Sequence, residues 1–402
     1  MGSRAENWSP PVPAMLPARA WIVRALGEID ELAAPWNSLG GEGGCPHLSH
    51  AWVRACAASF AGSGELSVVV VGAPNALALA PLIRRDDVVP RLELLGVDEL
   101  GEPSDLLAAD PSALALLADA LVRTGQPVHL KRIPADSATV PALRRAYRGR
   151  GVVISRPHAA YPWIPLDATW TSPEERLSAR RRSDVRRARR IAAGMGPVSI
   201  EVVSPAPAEV GPLIEEAFLV EAASWKGRRG SAVLNDAARA AFYRQYAFWA
   251  SERGILRLGF LRIGGRPAAM QLAVESGERF WLLKIGYDES FARCSPGTLL
   301  MLEALRCAVA RGLRSYELLG AVEPWTLMWT QLARPCVSLR AYPATAPGIG
   351  ALMMEVARMG GRKLGRRLRN GWLPRKGSCD PIEARDGQRP ERNAEDMLGA
   401  AG

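Results

Sequence analysis

Four residues in the second half of the chain, Ser295-Pro296-Gly297-Thr298, have the types and order that open a helix around a bound anion. A serine hydroxyl can cap the first turn. Proline suits the first helical position, whose N–H has no intrahelical partner. Gly297 and Thr298 then present backbone N–H groups at the positive end of the helix dipole, and the missing side chain at Gly297 lets an anion's oxygens come close. The chemistry is the holding of a phosphate or pyrophosphate. Ser-Pro-Gly also starts helices that bind nothing, so the flanking elements decide between the two readings.

Those elements are specific. The run after the glycine, "TLLMLEALRCAV", is apolar nearly all round and must lie against a sheet. A strand pattern, "RFWLLKIGYD", comes before it and another, "SYELLG", directly after it. This order sets a ligand's phosphate at the helix mouth and the rest of the ligand along the strands.

The same order occurs twice. "GELSVVVVGAPNALALAPL" parallels "GILRLGFLRIGGRPAAMQLAV", and "ALALLADALVRTGQPVHLKRI" parallels "LLMLEALRCAVARGLRSYELL", at an offset of about 190 residues. The pattern predicts a duplicated α/β unit: residues 20–165 and 166–342 as two domains, with a disordered proline-rich segment at 1–19 and a basic tail at 343–402. Turns are expected at Pro74-Asn75, Gly264-Gly265 and Ser276-Gly277. Asp110 with Pro111 predicts a helix start, as does Asn235, and Gly254 a helix stop. Ser172, Pro173 and Glu175 form a capping box, predicting a helix from Ser172 to Gly194.

Composition, 48% hydrophobic and 23% charged, permits a large core. The net charge of +10 is concentrated in two arginine-rich stretches, Arg176–Arg190 and Arg362–Lys376. Each is a solvated helix face or a contact for phosphate groups, RNA or anionic lipid. The six cysteines lack C-x-x-C spacing, as reduced thiols of a cytosolic protein do. Cys45, His47 and His50 have no second half to complete a metal site, so no metal is expected. No signal peptide or membrane-spanning run is expected.

The segments "EAASWKGRRGSAVL", "AFYRQYAFWASERGILRLGFLRIGGRPAAMQLAV", "LLKIGYDESFARCSPGTLLMLEAL" and "GLRSYELLGAVEPWTLMW" resemble the GNAT acyltransferases of the BioF2-like, or CelD-like, group, relatives of the Fem peptidyltransferases. The resemblance covers residues 170–330 well and the first half loosely. It implies an α/β (α+β) fold of two tandem GNAT-like domains, each a mixed, mostly antiparallel sheet flanked by helices. It implies an acetyl-CoA or other acyl-CoA co-substrate on the second domain, its pyrophosphate at Ser295, Pro296, Gly297 and Thr298. The pantetheine would run between the strand ending at Tyr287 and the strand from Ser315 to Leu319, and an acceptor would attack the thioester directly.

By that analogy Glu317 is a base or acceptor ligand, where the family commonly has Asp; a buried ion pair is the alternative. Tyr287 and Asp288 end the strand beside the thioester, although Asp288 can equally cap the turn. Lys284 faces either the cleft or solvent. Trp225 and Lys226 open a loop over the acceptor, with plain core packing the alternative for Trp225, and Glu323 and Trp325 line the same cleft. The chain departs from the family pattern with "EAASW", lacking the usual His before Trp225, and with Thr326 where a Lys often stands. The resemblance suggests a sugar or amino-sugar acceptor in polysaccharide biosynthesis. The protein would be cytoplasmic, with peripheral inner-membrane or RNA contact through the basic stretches. A Fem-like transferase using aminoacyl-tRNA and a non-catalytic tandem scaffold are the other readings.

Overall fold

The computed structural model describes residues 19–40, 44–72 and 76–357. The chain divides into two units, Met1–Met353 and Met354–Gly402, and the fold described is that of the first. The proline-rich opening, the Pro74-Asn75 turn and the basic stretch Arg362–Lys376 lie outside the described residues.

The first half begins with β1 (Arg19–Val23), α1 (Leu26–Glu31), α2 (Ala33–Gly40) and α3 (His50–Phe60). Strands β2 (Glu65–Leu66), β3 (Val68–Gly72), β4 (Ala76–Ala80), β5 (Leu82–Arg85) and β6 (Arg91–Leu94) follow. Then come α4 (Val97–Leu100), β7 (Leu107–Ala108), α5 (Pro111–Arg123), β8 (Val128–Pro134), α6 (Thr139–Ala146) and the long β9 (Gly151–Pro165). The second half opens with α7 (Ala179–Met195), β10 (Val198–Val203), α8 (Pro207–Ala222), α9 (Trp225–Arg228) and α10 (Ala237–Glu252). Three strands follow, β11 (Leu256–Ile263), β12 (Arg266–Ser276) and β13 (Arg279–Tyr287), and then α11 (Pro296–Ala310), β14 (Ser315–Glu317) and β15 (Ala333–Pro343).

Local chemistry sets most boundaries. The Asp110 carboxylate accepts from the Ser112 and Ala113 N–H groups at 2.7 and 2.8 Å and starts α5 as expected. Gly254, at φ +66°, ends α10 in the left-handed conformation. Asp236, not Asn235, caps α10, its Oδ1 accepting from the Arg239 N–H at 3.0 Å. The hairpin between β12 and β13 turns on Gly277 and Glu278, one residue later than expected, both with positive φ. The helix expected from Ser172 begins instead at Ala179, where the Ser178 hydroxyl accepts from the Arg181 N–H. Pro173–Arg176 form a short 3-10 turn, and buried Leu177 is extended, so the chain bends to bury that side chain before the helix can run. Glu175 therefore closes no capping box, and its neighbour Glu174 pairs with Arg189 and Arg306.

Eleven strands form one sheet in the order β10-β11-β12-β13-β14-β9-β15-β8-β6-β5-β2, and β1-β3-β4-β7 form a second. It is the mixed α/β architecture expected, with helices on the sheet faces. The halves are continuous at β9 and β15: β14 pairs with β9, β9 with β15, and β15 with β8. They also share a core. Trp52 of α3 packs edge-on against Phe242 and Tyr246 of α10, both at 4.8 Å, among side chains from α8, β11, β12 and β13. The opposite face of β11–β14 is covered by α7 and α11. Leu299, Leu300, Leu302, Ala304, Leu305 and Ala308 of α11 are buried there, as its composition requires.

The seat of α8 on β13 is close at Gly286, where a Cβ would lie 2.7 Å from the Glu221 Cα and 3.0 Å from its Cβ. Gly286→Ala is expected to cost about 1–3 kcal/mol through this overpacking. Gly297→Ala, whose Cβ would meet only Tyr287 Cδ1 at 3.9 Å, is expected to leave stability unchanged or slightly raised. Urea denaturation of the two variants checks both.

Candidate functional site

The mouth of α11 is formed by a different route from the one expected. The 3-10 turn Glu289–Cys294 carries the chain from β13 to the helix, and Ser295 reverses hand, at φ +45°, to enter it. A left-handed cap lacks the extended geometry that an N-cap hydroxyl needs, and the Ser295 hydroxyl makes no cap bond. The Ser295 carbonyl instead accepts from the Thr298 and Leu299 N–H groups at 3.0 and 3.3 Å, so Thr298 does not present a free N–H. Gly297 does: among the described residues nothing accepts from its N–H, and a Cβ there would meet only Tyr287 Cδ1 at 3.9 Å. Pro296 is buried beneath. Helix α7 packs against this turn through Val185 and Ala188, with Arg180, Arg181, Arg186, Arg187 and Arg190 exposed on its outer surface. The mouth is therefore electropositive by dipole and by neighbouring charge.

From the mouth a fork runs inward. β13 and β14 are parallel, but they pair only at Arg279–Ser315, Phe280–Tyr316 and Trp281–Glu317. Beyond that point β13 continues to Tyr287, held on one edge by β12. The other chain turns away after Leu318, with Leu319 and Gly320 both left-handed at φ +57° and +58°. The strands separate at the position expected for a ligand's extended arm. At the crotch β13 carries a bulge: Leu272 faces Lys284, Ala273 faces Leu282, and Leu283 is left outside the ladder.

Trp281 and Leu283 of β13 face the first half of the chain, as does Leu319 beyond β14. On that side a cavity of about 410 Å³ lies between the halves. Its walls include Asp105, Asp136, Trp163, Arg279, Trp281 and Arg334. Glu317 lies within this region, fully buried, but it is not free to act as a base. Arg334 holds it in a two-pronged ion pair, Nε to Oε2 at 2.8 Å and Nη2 to Oε1 at 2.7 Å, and the Ser315 hydroxyl donates to Oε1 at 2.7 Å. With its oxygens so engaged, Glu317 serves to hold Arg334, whose guanidinium stacks 4.0 Å over the Trp163 ring. The ion-pair alternative is the one realised.

Between the fork and the first half is a second set of buried charges. Lys284 points inward, with Nζ 5.1 Å from the centre of the Tyr243 ring, and burial lowers its pKa despite the pull of Glu221 and Glu102. Of the two expected orientations, cleft or solvent, it takes the inward one, toward Tyr243, Glu221 and Glu102. Glu221 is buried and joins three elements: it accepts from the Lys226 Nζ at 3.1 Å and from the Val233 N–H at 2.9 Å, while Lys226 also donates to the Ile285 carbonyl at 2.7 Å. Lys226 therefore anchors its loop to β13 and is not available to an acceptor.

Glu102 comes from the loop between α4 and β7, and the sequence reading did not single it out. It is buried, one carboxyl oxygen has no partner among the described residues, and burial raises its pKa to about 7. Lys284, Arg132 and the Gly320 backbone act in the opposite direction. Arg132 is itself buried and left-handed, at φ +57°, and donates to the Gly320 carbonyl at 2.8 Å.

The remaining candidates lie apart from the cavity. Asp288 caps the 3-10 turn, its Oδ1 accepting from the Ser290 N–H at 2.8 Å. Tyr287 lies beside Gly297 at the helix mouth. Trp225 is exposed under Arg229. Glu323 and Trp325 lie on an exposed loop and bond to each other, Trp Nε1 donating to Glu Oε2 at 2.7 Å, and neither lines the cavity. Burial pushes the Cys45 thiol up to about 12 and the His47 imidazole down to about 3, and His50 turns to the Ile29 carbonyl. Among the described residues no cluster could hold a metal ion.

Residues 179–326 match the family described as acetyltransferase (GNAT) domain, a stretch that holds the fork, the bulge and the α11 mouth. No curated protein matches the chain in sequence. Among solved structures, the chain is similar to the C-terminal domain of a putative lysylphosphatidylglycerol synthetase from Agrobacterium fabrum. The TM-score is 0.51 at 11% identity, over 83% of this chain and 96% of that one. FemX is similar to the same degree, with TM-score 0.51 and 11% identity over 82% of this chain and 98% of that one. A tandem GNAT protein from the clavulanic acid biosynthesis pathway matches with TM-score 0.42 and 12% identity, over 81% and 99%. At these identities the likeness is one of fold.

Arg334→Met would leave the Glu317 carboxylate buried with only Ser315 for company. The expected loss is about 3 kcal/mol, the low end for a broken buried pair because Arg334 is partly exposed. Replacing both residues, Glu317→Gln with Arg334→Met, is expected to recover much of it. A double-mutant cycle by urea denaturation checks the coupling.

Proposed function

We propose that the chain is an acyl-CoA-dependent N- or O-acyltransferase with acetyl-CoA as the donor. The observation that carries this reading is the parting of β13 and β14 directly inward of the α11 mouth. The donor's pyrophosphate would take the Gly297 N–H and the helix dipole, next to the arginines of α7. Its pantetheine would lie in the fork, completing the open edge of β13. The thioester carbonyl would then meet the bulge at Leu283, whose backbone is outside the ladder and able to donate to the developing oxyanion. An amine or hydroxyl attacks the carbonyl, the C–S bond breaks, and the thiol leaves along the fork.

We read residues 20–165 and 166–342 as two GNAT-like domains, the first supplying the acceptor's side. The cavity between the halves suits a saccharide. Trp163 and Trp281 offer aromatic side chains, while Asp105, Asp136 and Arg279 offer hydrogen-bonding groups for hydroxyls. That chemistry agrees with the BioF2-like, CelD-like resemblance and with polysaccharide or amino-sugar acylation. No helix among the described residues is long and apolar enough to cross a membrane, and we assign the protein to the cytoplasm or the inner membrane's cytoplasmic surface.

One observation favours a second reading. The exposed arginines of α7 lie beside the phosphate site, where the acceptor stem of an aminoacyl-tRNA would approach a Fem-like enzyme. The helix carries no exposed aromatic side chain for base stacking, and we rank this reading second.

Thermal unfolding with and without acetyl-CoA separates the readings. At a hundredfold excess over Kd the wild type should gain about 2.7 kcal/mol. Gly297→Glu, which sets a carboxylate beside the free N–H, should lose that gain while keeping its own melting temperature. No response to acetyl-CoA, together with steeply salt-dependent binding of aminoacyl-tRNA, would replace the first reading with the second.

A further inference from the structure

We propose that Glu102, contributed by the first half of the chain, is the proton acceptor for the transfer assigned to the second half. This rests on the acyl-CoA reading of the fork. The Glu102 carboxyl interacts with both arms: with Lys284 of β13 and with the backbone of Gly320, which ends the β14 arm and also accepts from Arg132 at 2.8 Å. The residues that follow it, Pro103, Ser104 and Asp105, line the cavity between the halves. Glu102 thus connects the segment that walls the acceptor cavity to the residues flanking the point where the strands part.

Its state fits the task. Glu221 and Glu317 are buried carboxylates with their oxygens tied to Lys226, Val233, Ser315 and Arg334. Glu102 is more than nine-tenths buried and keeps one oxygen without any partner among the described residues. A buried acceptor left unpaired is costly to folding. The charges facing it are Lys284 from β13 and Arg132 from β8, with the Tyr243 hydroxyl from α10. Behind these lie Glu221, Lys226 and Arg239, which act on Lys284. The two cations keep the carboxyl from remaining protonated at all working pH, while burial keeps it basic enough to take a proton near neutrality. Arg132 and Leu319 both accept left-handed backbone to set the Gly320 turn beside it, a local cost concentrated at this point.

In the step, the acceptor's amine or hydroxyl adds to the thioester carbonyl, and its proton passes to the Glu102 carboxylate. Collapse of the tetrahedral adduct breaks the C–S bond. The departing thiolate takes up that proton, so the products are the acylated acceptor and free CoA–SH, and Glu102 is again ionised.

The test uses the full chain as wild type, Glu102→Gln and Glu102→Asp. Acetyl-CoA binding is measured first by calorimetry. Thiol release from acetyl-CoA is then followed from pH 5 to 9, with glucosamine and with water as acceptors. We expect both variants to bind acetyl-CoA as the wild type does. Wild-type release should rise with pH to a plateau above about 7, and Glu102→Gln should lose 100-fold or more together with that inflection. Glu102→Asp should keep the inflection at a reduced rate. An independent readout is stability. The folded wild type holds a proton on Glu102 that the unfolded chain has lost above its ordinary carboxyl range, so its stability falls as pH rises from about 4.5 to about 7. Glu102→Gln should therefore melt higher than wild type at pH 8, and by a smaller margin at pH 5.

If the wild type binds no acetyl-CoA, the donor reading itself fails. If acetyl-CoA binds but Glu102→Gln releases thiol within threefold of wild type, or keeps the inflection, Glu102 is not the acceptor of the proton. Binding with no thiol release from the wild type overturns the proposal in favour of a non-catalytic scaffold.

Discussion

Three residue pairs of parallel strand, Arg279–Ser315 to Trp281–Glu317, govern the rest of this architecture. A parallel pair cannot be closed by a hairpin; it needs a crossover, and here the crossover is α11. Because the pairing stops after Trp281, the backbone of β13 is left with an open edge leading from the crotch to the start of that helix. One short register therefore produces both a slot and an anion-binding end to the slot. The bulge at Leu283 falls where the pairing stops, so the backbone is irregular at the same depth.

Burial of charge along this slot is uneven, and the unevenness separates the roles. Glu317 and Glu221 have their lone pairs matched by donors, and each ties together segments distant in sequence. Such carboxylates position other groups. Arg334 is fixed over Trp163 through Glu317, and the loop at Lys226 is fixed to β13 through Glu221. Glu102 is buried to a similar degree with one oxygen left unmatched, and Lys284, Arg132 and the Gly320 backbone oppose its neutralisation only in part. Low dielectric strengthens each of these interactions, which makes the satisfied ones rigid and the unsatisfied one reactive.

Much of this was legible in the sequence, and what was not has identifiable causes. The apolar run after Gly297 announced a buried helix, and the strand patterns on either side announced the sheet. Asp110 and Gly254 fixed their helix ends because capping is local chemistry. Ser172 and Asn235 failed for the complementary reason. The burial of Leu177 bends the chain before α7, and Asp236 stands one residue nearer its helix than Asn235. The order Ser295-Pro296 predicts a hydroxyl cap, yet Ser295 is left-handed after the preceding turn and that option is removed. Glu317 stood out as a carboxylate among apolar neighbours, but its partner Arg334 is on β15 and no spacing rule connects them. Glu102 had no local signal at all. Its importance comes from Lys284 and Gly320, which reach it only through the packing of one half on the other.

The path of β15 has a consequence for how the molecule is made. Ala333–Pro343 comes late in the chain, yet it lies between β8 and β9 and fills a place in the sheet of the first half. Until those residues leave the ribosome, β8 and the first part of β9 lack their common neighbour, and the first half holds exposed strand edges through the synthesis of the second. Domains as a rule fold in the order of their synthesis, the N-terminal one first. Here the last strand completes the first sheet, so the half that carries Glu102 and the half that carries the fork reach their finished form together.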